Sequence, residues 1–324
     1  MDITRKQFLQ SAAAFAAAMG GIGPAQAQEY PNQDIHLVSG FPPGAGSDVL
    51  VRYFGEKLRV VSGRSVIVDT RTGANGAIAT EYVARSKPDG YTLYPFSGTT
   101  TAASMYLYKN PPVDVGKTLT VAATTSNLAF MLSVDVNSPY KTVKDLTDAM
   151  KKKGTAASYA VASVPGMIMA AIYKNATGVE AIEVSYKNAI DSMNEIQSGK
   201  IDFAFHDPIF TLAMARENKL RVLAVSSSQR LNAAPDYPTM NESGVPMKLD
   251  MWWGVLLPAA TPKPVIAKIN GWFKEIIGTE ETRKFLALSG ADPMIRTPEQ
   301  AAEMFRVALD EWGGYVKLAK IPPI

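Results

Sequence analysis

The chain of 324 residues contains no cysteine and only two histidines, His36 and His206. Without cysteine it can form no disulfide, no thiolate nucleophile and no metal site built on cysteine. Two histidines are also too few for a His-rich metal site and for most acid–base catalysis. We therefore expect no cofactor and no catalytic residues.

Charge of neither sign dominates the composition. The chain carries 33 Lys and Arg against 30 Asp and Glu. A balance this close gives no indication of an extended basic surface for a polyanion, so we do not expect nucleic acid as a partner.

The N-terminus has the composition of an export signal. Arg5 and Lys6 precede an apolar, Ala-rich stretch over residues 8–22, and Ala25 and Ala27 supply the small residues that a signal peptidase reads. We expect a signal peptide over residues 1–27, removed to leave a soluble periplasmic protein. Residues 4–10, TRKQFLQ, also resemble a twin-arginine signal with Lys in place of the second Arg, so the export route stays open.

The mature chain alternates short apolar runs with amphipathic ones. Three times in the first segment an apolar run ends in a Gly/Ser/Thr loop that leads into an amphipathic run, at residues 41–48, 73–76 and 97–100. This pattern predicts an α/β protein with parallel strands, and ligands of such sheets bind beyond the carboxyl ends of the strands. The predicted strands are 35–39, 65–69, 91–94, 119–124, 130–134, 158–161, 182–184, 201–205, 222–225 and one starting at 251. The predicted helices are 48–60, 77–86, 102–108, 142–153, 167–177, 189–198, 209–216, 265–277, 280–289 and 298–317.

The first of these loops, FPPGAGSD at residues 41–48, has the composition of an anion site. Gly44 and Gly46 permit a close approach of a ligand to the main chain, and Ser47 and Asp48 are good N-cap residues. Free amides at a helix start, with the positive end of the helix dipole behind them, bind small anions. A strand–helix connection that binds nothing is the alternative.

Further motifs follow in the order found in one known family. Residues 41–48 resemble its Phe-Pro-Pro-Gly-Gly-x-x-Asp turn, and residues 71–76, RTGANG, resemble its Arg-Pro-Gly-Ala-Gly-Gly loop. Four more matches are KPDGYTL at 87–93, VSYK at 184–187, LAVS at 223–226 and WGVLLP at 253–258. Over residues 30–324 the chain resembles the periplasmic solute receptors of the tripartite tricarboxylate transporter system, the Bug-type binding proteins.

The resemblance implies a two-lobed, type II periplasmic binding protein fold with the ligand cleft between the lobes. Lobe 1 would comprise residues 28–128 and 252–324, and lobe 2 residues 129–251. It also implies that main-chain amides and ordered water hold one ligand carboxylate, from the loops at residues 44–48 and 162–166. The ligand would be a small organic acid, and the partner of this monomeric receptor a membrane permease of the tripartite tricarboxylate type.

The chain departs from the family pattern at ligand-facing positions. Ala45 stands where the family has a second Gly, and a positive φ would strain an alanine. The second-lobe loop, SVPG at residues 163–166, has fewer glycines than the family's Gly-rich stretch and has gained a proline, and Asn188 replaces another Gly. His206 occupies a position where many members carry Asp. The family's specificity therefore does not transfer to this chain.

The loops and the resemblance together give twelve predicted ligand-binding residues: Phe41, Gly44, Ala45, Gly46, Ser47, Asp48, Ser97, Thr99, Ala162, Ser163, His206 and Asp207. Ser47 and Thr99 are expected to donate to a carboxylate. His206 either donates to the far end of the ligand, where its protonation would favour a second carboxylate, or is a structural histidine. Phe41 and Tyr186 are candidates for stacking on an aromatic acid such as a terephthalate-like ligand, and aliphatic diacids are equally compatible.

Two other functions are weighed against the transport receptor. An exported hydrolase would need a G-x-S-x-G or H-E-x-x-H motif, and the chain has neither. A receptor that presents its ligand to a sensor kinase would have the same fold and site, so the sequence alone does not separate it from a transport receptor.

Overall fold

The computed structural model describes residues 29–323. The predicted signal peptide, residues 1–27, lies outside the described residues. Within the described range, no helix combines the length and the apolar character needed to cross a membrane.

Eleven strands and eleven α-helices follow one another along the described chain. The strands are β1 Ile35–Ser39, β2 Val66–Thr70, β3 Thr92–Ser97, β4 Leu119–Leu128, β5 Met131–Asp135, β6 Ser158–Val161, β7 Ile182–Ser185, β8 Phe203–His206, β9 Leu220–Val225, β10 Met251–Pro258 and β11 Ala291–Pro293. The helices are α1 Gly46–Ser62, α2 Ala77–Ala84, α3 Gly98–Leu107, α4 Val115–Thr118, α5 Val143–Lys153, α6 Val164–Thr177, α7 Met193–Gln197, α8 Pro208–Arg216, α9 Lys263–Gly278, α10 Glu280–Leu288 and α11 Pro298–Leu318.

The first sheet has six strands in the order β11-β4-β10-β3-β1-β2. β1 pairs in parallel with β2 and β3, as the βαβ pattern predicts. The expectation of a parallel sheet is wrong for β10 and β11. β10 comes from the last part of the chain and inserts between β3 and β4, antiparallel to both, and β11 is antiparallel to β4.

The second sheet has five strands in the order β7-β6-β8-β5-β9. β6 pairs in parallel with β7 and β8, whereas β5 is antiparallel to β8 and β9. This sheet is therefore also mixed. It takes all its strands from the middle of the chain, and the first sheet takes strands from both sides of that segment.

The passage from β4 to β5 joins corresponding edges of the two sheets. β4 ends at Leu128, and Met131, the first residue of β5, pairs with His206, the last residue of β8. β3 and β4 run in the same direction, because each is antiparallel to β10. The carboxyl end of β4 thus leads straight to the carboxyl ends of the parallel strands in the second sheet, and the loops that follow β1, β3, β6 and β8 leave from these two edges.

Two predicted loops are shorter than expected because hydroxyl and proline residues start helices there. The prediction of a polar loop over residues 97–100 is wrong. Helix α3 begins at Gly98, and the amide of Thr100 donates to the Ser97 hydroxyl at 3.1 Å. The loop over residues 162–166 is also wrong in its second half, since α6 begins at Val164 with Pro165 in its first turn. The predicted N-cap at Thr142 is confirmed as part of a capping box with Asp145.

Stacked aromatic rings hold the loop that follows β1 against the first sheet. Phe96 on β3 stacks on Tyr94 at 4.6 Å between ring centroids and on Phe41 at 4.9 Å. Phe41 in turn stacks on Trp253 of β10 at 5.4 Å. The buried faces of β3 and β10 therefore anchor the loop that follows β1.

Candidate functional site

The loop after β1 turns on a single glycine. Gly44 has φ +83°, whereas Ala45 has φ −64° and is the N-cap of α1, which begins at Gly46. The left-handed position falls on Gly44, so Ala45 in place of the family's second Gly brings no strain. The expectation that Ser47 or Asp48 caps α1 is wrong, because both lie inside its first turn.

Asp48 fastens this loop from within. Its side chain is fully buried and accepts hydrogen bonds from the Ser39 hydroxyl at 3.0 Å, the Gly44 amide at 3.1 Å and Arg52 Nε at 2.7 Å. Burial raises the pKa of Asp48, but the hydrogen bonds from Arg52, Gly44 and Ser39 outweigh it, so the pKa is lowered overall. Asp48 is thus an ionised clamp that joins the end of β1 to α1.

The backbone amides of the predicted anion site divide into two groups. The Gly44 amide donates to Asp48, and the Ala45 amide donates to the Pro42 carbonyl at 3.1 Å. The amides of Gly46, Ser47 and Asp48 lie in the first turn of α1, where a helix supplies no acceptor of its own. These three amides, rather than the whole stretch from Gly44, are the available donors for an anion.

Gly46 allows α1 to pack against α8, the helix that follows β8 of the second sheet. A Cβ atom added at Gly46 would lie 2.8 Å from Cγ2 of Ile209, in the first turn of α8. The start of α1 and the start of α8 are therefore in van der Waals contact. Sequence reasoning missed Ile209, since an isolated isoleucine at a helix start carries no signal of its own.

The second-lobe candidates lie after β6 and β8. Ala162 and Ser163 are half-buried, with Ser163 as the N-cap residue of α6. Asp207 caps α8 by accepting from the Phe210 amide at 3.0 Å. Burial raises the pKa of Asp207 by more than this hydrogen bond lowers it. α6 packs closely on β8, since a Cβ at Gly166 would lie 2.5 Å from the Phe205 carbonyl oxygen.

His206 is buried at the carboxyl end of β8, only 1% exposed. Its ring packs edge-on against Phe210 at 5.3 Å, and neither ring nitrogen has a hydrogen-bond partner among residues 29–323. Burial lowers the pKa of His206 to about 4, so the imidazole is neutral near pH 7. A buried imidazole with two unused nitrogens differs from the satisfied structural histidine that was the alternative.

The remaining candidates have partners within the protein. Ser97 and Thr99 are buried, and their hydroxyl oxygens lie 2.9 Å apart. The Tyr186 hydroxyl donates to Glu195 at 2.8 Å, and Phe41 already stacks on two rings. Stacking of an aromatic ligand on Phe41 or Tyr186, and donation from Thr99, remain predictions that would need these contacts to be shared or exchanged.

An open groove lies elsewhere on the surface, between α2 and the start of β3, lined in part by Tyr82, Arg85 and Asp89. It is at the amino end of β3, away from the edge that carries the α1 amides. In the part of the chain that the structure describes, no three His, Asp or Glu side chains group as metal ligands would.

Comparison with known proteins gives this fold and edge a family context. Protein BugT of Bordetella pertussis is 26% identical over 321 residues, 98% of either chain. A structure of an R. palustris protein with adipate superposes with a TM-score of 0.83 at 26% identity, covering 91% of this chain and all of that one. The periplasmic binding protein BugD gives a TM-score of 0.79 at 26% identity, over 90% and 99% of the two chains.

These likenesses confirm the predicted two-lobed α/β fold of a periplasmic binding protein. The family model described as "Tripartite tricarboxylate transporter family receptor" matches residues 50–320, most of the chain. The chain belongs to the tripartite tricarboxylate transporter receptor family, as its motifs predict.

Proposed function

We propose that this protein captures a small organic carboxylate in the periplasm and delivers it to a membrane permease of the tripartite tricarboxylate type. The observation that carries the proposal is the position of three first-turn amides of α1, those of Gly46, Ser47 and Asp48, beside the first turn of α8. Amides at a helix start bind anions through hydrogen bonds and the helix dipole. The adipate complex of the R. palustris protein supports a carboxylate as the anion.

Closure of the two lobes links binding to delivery in this proposal. We keep the predicted lobe boundaries at residues 128–129 and 251–252, which lie at the end of β4 and the start of β10. A ligand gripped by α1 and covered by α8 would favour the closed form in proportion to its extra contacts there. The permease would then distinguish the closed, loaded receptor from the open one.

The rest of the loop would keep the amides aligned while the ligand comes and goes. Asp48 is neutralised by Arg52 and directed inward by the Ser39 hydroxyl, so its charge opposes an incoming carboxylate less than a free aspartate would. Phe41 fixes the other end of the loop on Phe96 and Trp253. Such preorganisation reduces the ordering cost of binding.

Titration calorimetry of the mature protein tests the proposal with a panel of acids. The panel comprises C4–C8 mono- and dicarboxylates, aromatic acids and amino acids, with the matching neutral amides as controls. We expect at least one carboxylate to bind with a Kd of about 10 μM or tighter, and its fully neutral amide to bind far more weakly. Absence of binding by every acid in the panel would contradict the proposed function.

A further inference from the structure

His206 ends β8 at the edge where the two sheets are joined. It pairs with Met131, the first residue after the passage from β4, and three residues later Ile209 contacts Gly46 of α1. His206 therefore lies three residues before the point where α8 touches the start of α1, whose amides hold the carboxylate in the proposed function, on which this inference rests. Its two nitrogens are buried and lack partners within residues 29–323.

Other unused polar atoms concentrate around the same passage. In the described part of the chain, buried side-chain atoms without a partner belong to Arg71, Thr125, Ser126, Asn127, Ser133 and His206. All except Arg71 lie on β4, β5 or β8. Ser133 is opposite Ala204 and Met131 opposite His206, so the Ser133 hydroxyl shares the sheet face of the His206 ring. This face offers hydrogen bonds that the protein itself leaves unmade.

The chemistry of a neutral imidazole restricts what can occupy this position. One ring nitrogen donates a hydrogen bond and the other accepts one. The two ring nitrogens point away from each other, so one terminal group of a ligand reaches one of them. A carboxylate can only accept from the N–H and brings a charge into a buried place, whereas a carboxamide or a hydroxyl can pair with either nitrogen and stays neutral.

The charged groups near His206 also disfavour a ligand carboxylate at this position. Asp207 follows it directly and caps α8, so a ligand carboxylate placed here would approach a protein carboxyl group. Arg52 is already paired with Asp48, and Lys187 after β7 is exposed, two strands away from β8. An exposed ammonium is solvated and offers little compensation for an anion at a buried site.

We propose that His206 selects a ligand whose end remote from the bound carboxylate is a neutral group able both to donate and to accept a hydrogen bond. A monoamide or a hydroxy acid is the class that fits, in preference to the diacid of the same length. This specificity differs from that of a receptor whose ligand carries a carboxylate at either end, as adipate does.

Matched ligand pairs test the proposal by calorimetry at pH 7.5. The pairs are succinate and succinamate, adipate and adipamate, and terephthalate and 4-carbamoylbenzoate, supplemented by the corresponding hydroxy acids. For the chain length that binds, we expect the monoamide or hydroxy acid to bind at least tenfold more tightly than the diacid. His206→Phe keeps a ring against Phe210 but removes both nitrogens, and should abolish the preference. His206→Gln keeps a donor and an acceptor, and should retain part of it.

His36→Gln is the matched control. His36 lies on β1 beside Asp69, 2.8 Å from its carboxylate and away from the passage between the sheets, so the preference should be unchanged. A diacid that binds as tightly as its monoamide, or a preference that survives in His206→Phe, overturns the inference and leaves the proposed function standing. Failure of every carboxylate in every pair and in the wider panel counts against the proposed function itself.

Discussion

Asp48 is the residue that gives the first loop its shape. Its buried carboxylate accepts hydrogen bonds from the Ser39 hydroxyl, the Gly44 amide and Arg52. We expect Asp48→Ala to lower the free energy of unfolding by about 2 kcal/mol, because three donors lose their acceptor and one of them, the Ser39 hydroxyl, stays buried. Ligand affinity should fall as well, since the α1 amides lose their alignment. Urea denaturation and calorimetry of the same preparations measure the two effects.

Asp148→Ala is the control for Asp48→Ala. Asp148 makes an exposed ion pair with Lys144, four residues away on α5, and such pairs contribute about 0.5 kcal/mol or less. If Asp48→Ala were as stable as this control, the clamp would not hold the loop. If its stability fell but its affinity did not, the loop would not align the binding amides.

His206 predicts a stability that depends on pH. Its folded-state pKa of about 4 lies below the ordinary value of 6.5, so between these values the unfolded chain binds a proton that the folded chain does not. Stability from this residue is therefore complete above pH 6.5 and is lost as the pH falls towards 4, by up to about 3 kcal/mol.

Urea denaturation at pH 7.5 and pH 5 checks the pH dependence at His206. The drop in unfolding free energy between the two pH values should be smaller in His206→Gln than in the natural protein. Comparing the two proteins cancels the contributions of titratable groups that both contain. One of these is Asp207, whose raised pKa makes its contribution to stability change with pH in the direction opposite to that of His206. Equal drops in the two proteins would mean that His206 is not buried in its neutral form.

At the scale of elements, the contact between α1 and α8 depends on the absence of a side chain at Gly46. A Cβ there would lie 2.8 Å from Ile209 Cγ2, too near for an ordinary contact. We expect Gly46→Ala to weaken ligand binding about tenfold, because the added Cβ would push the starts of the two helices apart at the proposed site. Ile209→Ala removes the obstructing atom, so the double variant should recover much of the loss.

Calorimetry of the four proteins in this cycle measures the coupling between Gly46 and Ile209. Gly271→Ala on α9 is the matched control, since a Cβ there meets nothing within 4 Å. Additive effects of Gly46→Ala and Ile209→Ala would show that the helix starts do not meet when ligand is bound.

The elements also show how far the sequence predicts this fold. The bounds of β1 and β6 agree with the prediction because each is a short apolar run ended by turn residues. The start of α3 is predicted too late because Ser97, Thr99 and Thr100 suggest a loop, whereas Ser97 caps the helix. The antiparallel insertion of β10 depends on strands far away in sequence, which local periodicity does not encode.

Some features of the candidate site can likewise be predicted from the local sequence, and others depend on residues far away in the chain. The anion loop is predictable because its glycine, its proline residues and the helix start are consecutive in sequence. The inward clamp of Asp48 depends on Ser39, and the burial of His206 depends on β5 and α8, so neither is visible in the local pattern. The ligand-binding roles of these residues remain predictions.

At the scale of the whole molecule, Asp292 joins the first sheet to the segment that follows β9. It lies on β11 of the first sheet, and its carboxylate accepts from the Asn232 amide at 2.9 Å, the Asn232 side chain at 3.1 Å and the Ala233 amide at 2.8 Å, all in the segment after β9. β11 pairs with the end of β4, next to the passage into β5. The tie therefore lies next to the passage between the sheets, which is the hinge in the proposed closure, so it should restrain the lobes in the proposed open and closed forms alike.

We expect Asp292→Ala to lower the free energy of unfolding by about 2 kcal/mol, because two backbone amides lose their acceptor, while changing carboxylate affinity less than about threefold. Asp310→Ala, which removes one exposed ion pair on α11, should change neither quantity measurably. Small-angle scattering with and without ligand adds the conformational readout, and the compaction on binding should persist in Asp292→Ala. A variant with normal stability but much weaker binding would instead assign Asp292 to the closed form alone, because a contact made in only one state changes the equilibrium between the states.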